Sequence, residues 1–117
     1  MHELSIMASA LDAVARQASR EGDAQVARVV LRIGTLAGVD VESLRFAYEA
    51  LAPGSVVEGA VLEIEEVPGR AWCRRCDAEF GATRGMIFQC PFCREYSDEI
   101  RAGRELGIAR LEFLVSP

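Results

Sequence analysis

Cys73-Arg74-Arg75-Cys76 and Cys90-Pro91-Phe92-Cys93 are the stretches that decide the fold, because they hold all four cysteines of this 117-residue chain. Thirteen residues separate the two Cys-x-x-Cys pairs. Each pair places two thiolates on one tight turn, and two such turns supply the four ligands of a tetrahedral zinc site. Because four thiolates leave no open position for water, the spacing predicts a structural Zn(II) held by Cys73, Cys76, Cys90 and Cys93.

Two other uses of these cysteines are less well supported. Disulfides need an oxidising compartment, whereas the start Met1-His2-Glu3 is acidic and lacks the basic residues of a secretion signal. We therefore expect a cytoplasmic protein with reduced thiols. A redox dithiol would lie at the start of a helix, but Pro91 lies inside the second pair and no helical pattern follows it.

Helix and strand patterns alternate on either side of the cysteines. Apolar residues three and four positions apart predict a first helix over 4–20, which Gly22 ends. A second helix is predicted to begin after Asp40, a natural N-cap, and to stop at Pro53. Alternating apolar residues predict strands over 25–33, 61–67 and 106–115.

These elements predict an α+β fold with an insertion. Strand, helix and strand between residues 25 and 67 are typical of a parallel crossover unit, and the last strand would join the same sheet. We expect two helices on a small three-stranded mixed sheet, with an inserted zinc-ribbon domain that has four cysteine ligands. The predicted domains are 1–68 together with 103–117, and the ribbon over 69–102. The ribbon is too small to fold by apolar burial alone, so its metal should supply much of the folding free energy.

Composition excludes several classes of function. No apolar run reaches the ~18–20 residues of a membrane span, and the net charge of −5 disfavours a phosphate-binding surface. All thirteen basic residues are arginine, and His2 is the single histidine. Because general acid–base catalysis needs positioned groups with shifted pKa values, and the one imidazole lies at a terminus, we do not expect an enzyme.

His2 is the residue most open to two interpretations. A single exposed histidine near a terminus commonly has no function. Its imidazole, its own amide nitrogen and the α-amine of Met1 could instead close fused chelate rings, with the amide nitrogen of Glu3 completing a plane of four nitrogens. Such a set suits Ni(II) or Cu(II). The residues alone leave open whether His2 binds a metal.

Several short motifs, spread over nearly the whole chain, occur in the same order and at the same spacing as in one known protein family. They comprise Met1–Ser5, Gly34–Val39, Phe46–Glu49, Leu62–Ile64, the two Cys-x-x-Cys pairs and Gly103–Leu106. Taken together, the chain resembles the HypA/HybF family of hydrogenase-maturation nickel metallochaperones.

The resemblance implies that the protein delivers nickel during maturation of [NiFe]-hydrogenase. The implied partners are a GTPase and the hydrogenase large subunit, and some members of the family also serve urease. Met1, His2 and Glu3 match the family's nickel-binding start, and the four cysteines match its zinc ligands. Asp40 could approach the N-terminus as a further ligand, although a role as an N-cap is the stronger alternative. We expect a monomer or weak homodimer.

One departure from the family concerns the second cysteine turn. The family often has glycine and serine after the last cysteine, where this chain has Arg94 and Glu95. Without glycine, the turn should be less relaxed. The four cysteine ligands are unaffected, so the departure bears on local geometry and not on the zinc.

The competing hypotheses are a zinc ribbon that binds nucleic acid and a protein-interaction ribbon without nickel. Five arginines with nearby aromatic residues could grip phosphates and stack bases. Against nucleic acid, three carboxylates leave only two excess positive charges over 70–96, and four thiolates around Zn²⁺ cancel them. The basic and aromatic residues are Arg70, Arg74, Arg75, Arg84, Arg94, Trp72, Phe80 and Phe92.

Overall fold

A computed structural model of the chain describes residues 2–82 and 87–114. The predicted helices and strands follow one another in the expected order, and the cysteine segment adds three short strands. The elements are α1 (Glu3–Arg20), β1 (Val26–Gly34), α2 (Val41–Leu51), β2 (Val61–Val67), β3 (Arg70–Cys73), β4 (Ala78–Gly81), β5 (Ile100–Ala102) and β6 (Leu106–Phe113).

Helix α1 buries one apolar stripe, as its sequence period predicts. Met7, Leu11, Val14 and Ala18 are buried, and Gly22 in the left-handed region (φ +72°) follows the end of the helix. Leu4, three positions before Met7, falls on the same stripe by its spacing, but 53% of its surface is exposed. Leu4 lies in the first turn of α1, and the buried stripe therefore begins at Met7, one step later than the sequence period indicates.

Helix α2 packs against α1 and carries a buried tyrosine. Leu44 and Tyr48 are buried, and the Tyr48 hydroxyl donates a hydrogen bond to the carbonyl of Ala60 at 3.0 Å. Burial raises the pKa of this phenol above its ordinary value. The hydroxyl therefore ties the helix to the loop that precedes β2.

The first sheet has the order β2-β1-β6, which places β1 at its centre. Near the ends of β1 and β2, the Thr35 N–H donates to the Val67 carbonyl at 2.9 Å, as expected for parallel neighbours. Strand β6 runs antiparallel, because the bonds to β1 join Gly34 with Glu105 and Gln25 with Leu114. The predicted three-stranded mixed sheet is confirmed.

The strict alternation predicted for β1 does not hold on the side of Arg28 and Arg32, where Val26 and Val30 are both buried. Val30 is fully buried, although both of its neighbours on this side of the strand, Arg28 and Arg32, are charged. A central strand is covered on both faces. On the polar face, Arg28 and Arg110 each form ion pairs with both Glu63 and Glu112, and the long arginine stems shield apolar surface.

The cysteine segment contains a second, antiparallel sheet of order β4-β3-β5. Ala71 is opposite Phe80 on one side and Ile100 on the other. Phe80 and Phe88 meet edge to face with centroids 6.4 Å apart, and they form a small buried cluster with Ala71, Cys73 and Cys90. Two of the five buried residues are cysteines, so this core depends on the proposed metal ligands.

The chain divides into two compact units. The second unit comprises Ile33–Gly38 and Glu66–Leu106, and the first contains both helices and the remaining described residues. Within the second unit, a Cβ on Gly34 would lie 2.0 Å from the Gly103 carbonyl oxygen, so only glycine fits there. No helix in the described part of the chain is long and apolar enough to cross a bilayer.

Candidate functional site

The four cysteines converge on one point of the second unit. Cys73 ends β3, Cys76 lies in the turn before β4, and Cys90 and Cys93 lie in the loop before β5. All four sulfur atoms lie within 4.8 Å of one another. Each cysteine of the first pair lies close to one cysteine of the second pair. The Sγ atoms of Cys73 and Cys93 are 3.5 Å apart, and those of Cys76 and Cys90 are 3.8 Å apart.

This geometry fits a tetrahedral zinc ion. Four sulfurs bound at ~2.3 Å to a central Zn²⁺ would be separated by about 3.8 Å along each edge of the tetrahedron. The separations of 3.5 and 3.8 Å are close to that value. Cys73 and Cys90 are buried, which is typical of a closed structural site. The cluster therefore fits a structural Zn(II), as the sequence predicts.

Backbone N–H groups of the two turns face the sulfurs. The Cys76 N–H donates to the Cys73 sulfur at 3.4 Å. The N–H groups of Cys93 and Phe92 lower the pKa of the Cys90 thiol to about 6, whereas burial and the neighbouring thiols raise the pKa of Cys76 to about 12. The metal-free cluster thus holds protons at some sulfurs, and metal binding must displace them.

Each cysteine turn ends in a residue with left-handed backbone. Asp77 follows Cys76 with φ of 54°, and Arg94 follows Cys93 with φ of 67°. Aspartate tolerates this region better than most residues, but arginine does not. The sequence prediction of a less relaxed turn at Arg94 identified one of these positions. Asp77 was missed, although its matching place after a Cys-x-x-Cys pair was the available signal.

The start of α1 holds the residues predicted to bind nickel. His2 is exposed and occupies the N-cap position, where its carbonyl accepts the Ile6 N–H at 3.1 Å. Glu3 is the first helical residue, and its carboxylate accepts the backbone N–H of Asp40 at 3.1 Å. That contact, together with the Glu3 N–H, lowers the pKa of the Glu3 carboxyl. Met1 lies outside the described residues.

Asp40 is brought to Glu3, but its side chain does not cap α2. Asp40 is the N-cap residue of α2, as the sequence predicts, but its carboxylate makes no hydrogen bond to the helix backbone. Instead, the Ser43 hydroxyl donates to Asp40 Oδ2 at 2.5 Å, which leaves Oδ1 without a hydrogen-bond partner among the described residues. Ser43 was missed by the sequence prediction, and its place three residues after Asp40 was the signal for it.

The arginines of the ribbon are largely engaged by carboxylates. Arg74 pairs with Glu99 at 2.8 Å, and Arg75 pairs with Glu95 at 3.2 Å. Arg101 lies 4.7 Å from the centroid of the Trp72 ring, so one face of the single tryptophan is covered. These contacts remove several of the groups that the nucleic-acid hypothesis requires. Arg84 lies outside the described residues.

Comparison with known proteins gives one consistent family. The family model described as hydrogenase/urease nickel incorporation, metallochaperone, HypA matches residues 1–113. A hydrogenase maturation factor HypA from Azotobacter chroococcum mcd 1 is 46% identical over 112 residues, 96% of this chain and 98% of that protein. The protein of the same name from Chlorobaculum tepidum is 44% identical over 108 residues, 92% of this chain and 95% of that protein.

Solved structures agree with these relatives. The solution structure of the Ni metallochaperone HypA from Helicobacter pylori is 27% identical, with a TM-score of 0.64 over 99% of this chain and 100% of that one. A second solution structure, of a HypA protein, is 25% identical, with a TM-score of 0.68 over 97% of each chain. The family is one of metallochaperones and not of enzymes. The resemblance predicted from the motifs is confirmed, and this chain belongs to the HypA family of hydrogenase and urease nickel-incorporation metallochaperones.

Proposed function

We propose that the chain carries Ni(II) as cargo at the start of α1 and delivers it during maturation of a [NiFe]-hydrogenase. Beside the family match, the observation that carries this proposal is the 3.1 Å hydrogen bond from the Asp40 N–H to the Glu3 carboxylate. It fixes the first turn of α1 against the start of α2. Glu3, the residue that follows His2, thereby lies beside a second acidic residue, Asp40.

The proposed nitrogen donors are the His2 imidazole, the amides of His2 and Glu3, and the α-amine of Met1. The first helical hydrogen bond runs from Ile6 to the His2 carbonyl, so the helix uses neither of those two N–H groups. Replacing their protons with a metal therefore breaks no bond of the helix. A site built on a helix end in this way can bind and release an ion without unfolding α1.

The proposed oxygen donors are the carboxylates of Glu3 and Asp40. Glu3 Oε2 accepts from the backbone and Asp40 Oδ2 accepts from Ser43. One oxygen of each carboxylate is therefore left to contact the metal. Four nitrogens alone would give a square-planar complex, and added carboxylate oxygens would give a six-coordinate one.

We propose that Cys73, Cys76, Cys90 and Cys93 hold the structural Zn(II), which stays in place while nickel is exchanged. The two metals would then be bound by the two domains predicted from the sequence, nickel by 1–68 with 103–117 and zinc by 69–102. The closed thiolate set supports this assignment, because a closed site offers no position for an incoming ligand.

The proposed partners are a hydrogenase-maturation GTPase, which assists release, and the hydrogenase large subunit, which receives the ion. Urease is a further proposed recipient, consistent with the family description of hydrogenase and urease nickel incorporation. We place this activity in the cytoplasm, with the chain a monomer or weak homodimer and with no nucleic-acid or membrane partner.

Hydrogenase activity in cells tests this function. A strain that lacks its own HypA, supplied with this protein, should regain activity, whereas His2→Ala should not. Millimolar nickel in the medium should partly restore activity with His2→Ala, because excess metal bypasses a delivery defect. Ser5→Ala, a matched change three residues further along α1, should behave as the unaltered protein. Full activity with His2→Ala at trace nickel would contradict the proposal.

A further inference from the structure

We propose that a groove between α1 and β6 binds an extended, acidic segment of a partner protein. The groove lies within the first compact unit and has a volume of about 520 Å³. Arg16 and Arg20 stand on its helical wall, and Ile108, Leu111 and Phe113 contribute its apolar surface. The proposal goes beyond nickel binding and does not depend on it.

The charge on the groove wall sets it apart from the rest of the protein. Of the twelve arginines in the described part of the chain, eight form ion pairs with glutamates. Arg16 and Arg20 are two of the four that have no carboxylate partner among the described residues. Four residues apart, they share one side of the helix. In a chain of net charge −5, two exposed, unpaired guanidinium groups on one groove favour an acidic ligand.

The strand side of the groove has the features of a strand-addition site. Leu111 and Phe113 share one face of β6, opposite Arg110 and Glu112, which are engaged in ion pairs. Strand β6 is an outer strand, bonded within its sheet to β1 only, so its other edge has no strand partner in the described ranges. An extended peptide can pair its backbone with such an edge and place alternate side chains over the apolar floor.

The spacing of Arg16 and Arg20 indicates where the ligand should carry its acidic residues. Arg16 and Arg20 are separated by about 6 Å along the helix axis. In an extended chain, side chains two positions apart share a face and are separated by about 6.6 Å. A segment lying along α1 would therefore match both arginines with carboxylates two positions apart, and apolar residues further along the same face would contact Leu111 and Phe113.

The groove is distant from the proposed nickel site. Arg16 lies fourteen positions after His2 along the chain, a rise of about 21 Å on a helix. A partner held at the groove would leave the N-terminus free, which suits a carrier that must meet a receiver while releasing its cargo.

A titration with a synthetic peptide tests this inference. The probe is fluorescein-labelled Glu-Thr-Glu-Thr-Val-Thr-Ile with blocked ends, added to the full zinc-loaded chain without nickel and followed by fluorescence anisotropy. We expect saturable binding that weakens with salt. The double variant Arg16→Gln/Arg20→Gln should weaken binding about tenfold, whereas the charge-matched Arg45→Gln/Arg104→Gln should change it by less than about twofold. A peptide N-methylated at alternate residues should bind more weakly, because it cannot donate to the strand edge.

Other outcomes would overturn the inference. They are no saturation at millimolar peptide, equal binding of a peptide with lysine in place of glutamate, or unchanged affinity of the groove variant. Self-association abolished by Arg16→Gln/Arg20→Gln in analytical ultracentrifugation would mean that a second copy fills the groove, and would also overturn it. Because His2→Ala should leave peptide binding unchanged, failure of this inference is distinguishable from failure of the nickel proposal.

Discussion

Replacing Arg94 with glycine should strengthen zinc binding. Arg94 has a left-handed backbone (φ 67°), a conformation that costs an L-residue about 1–2 kcal/mol and that glycine adopts without this cost. The greater conformational freedom of glycine in the unfolded chain opposes this stabilisation by about 0.5–1 kcal/mol. Arg94 takes part in the bonds of the turn through its backbone atoms, since its N–H donates to the Cys90 carbonyl at 2.9 Å and its carbonyl accepts from the Gln89 side chain at 2.9 Å. Its own side chain has no ion-pair partner among the described residues.

The net stabilisation of the turn is therefore about 0.5–1 kcal/mol. Because zinc binding is coupled to folding of the ribbon, Arg94→Gly should tighten zinc affinity by about two- to fivefold, measured by competition with a chromophoric chelator. Asp77→Gly is the matched control, since aspartate already tolerates its φ of 54°, and it should give a smaller gain. An unchanged or weaker zinc affinity in Arg94→Gly would refute the argument that this turn is strained.

Three further predictions concern stability. Tyr48→Phe should cost about 1 kcal/mol in urea unfolding, since it removes the bond to Ala60. Because burial raises the pKa of Tyr48 above its ordinary value of 10.0, the stability that the phenol contributes is fully present below that pH and is lost as pH rises through the raised pKa. Stability should therefore fall less steeply beyond pH 10 in the variant, and equal slopes would contradict this. Gly34→Ala should destabilise the chain by about 1–3 kcal/mol, because its Cβ would meet the Gly103 carbonyl, whereas Gly107→Ala meets nothing within 4 Å and should be neutral. Chelation of zinc should unfold the second unit yet preserve the helical circular dichroism at 222 nm, since α1 and α2 lie in the first unit; loss of all helical signal would show one folding unit.

The sequence predicted the elements that have clear periodicity. Strand β2 matches its predicted range of 61–67, and the buried stripe of α1 follows the helical period from Met7 onward. The four cysteines were identified because Cys-x-x-Cys spacing fixes local geometry. In each case, residues that are close together in the sequence determine the local structure, so a local pattern is sufficient to predict it.

The remaining features depend on contacts between distant residues. Strands β3, β4 and β5 have only three or four residues each, too few to show a period of two. The exposed position of Leu4 and the burial of Val30 follow from which neighbours cover them. The bond between Glu3 and Asp40 joins residues 37 positions apart, and no local pattern predicts it.

Nickel titration of the untagged, zinc-loaded protein tests the central claim most directly. Three forms are compared by calorimetry: the native chain, His2→Ala, and a chain extended by a few permanent residues before Met1 with His2 intact. If the terminal chelate carries nickel, the native chain should bind one ion, and both altered forms should lose affinity to the same degree with unchanged zinc content. Undiminished nickel affinity in the extended chain would contradict the claim, since the α-amine would then not be a ligand.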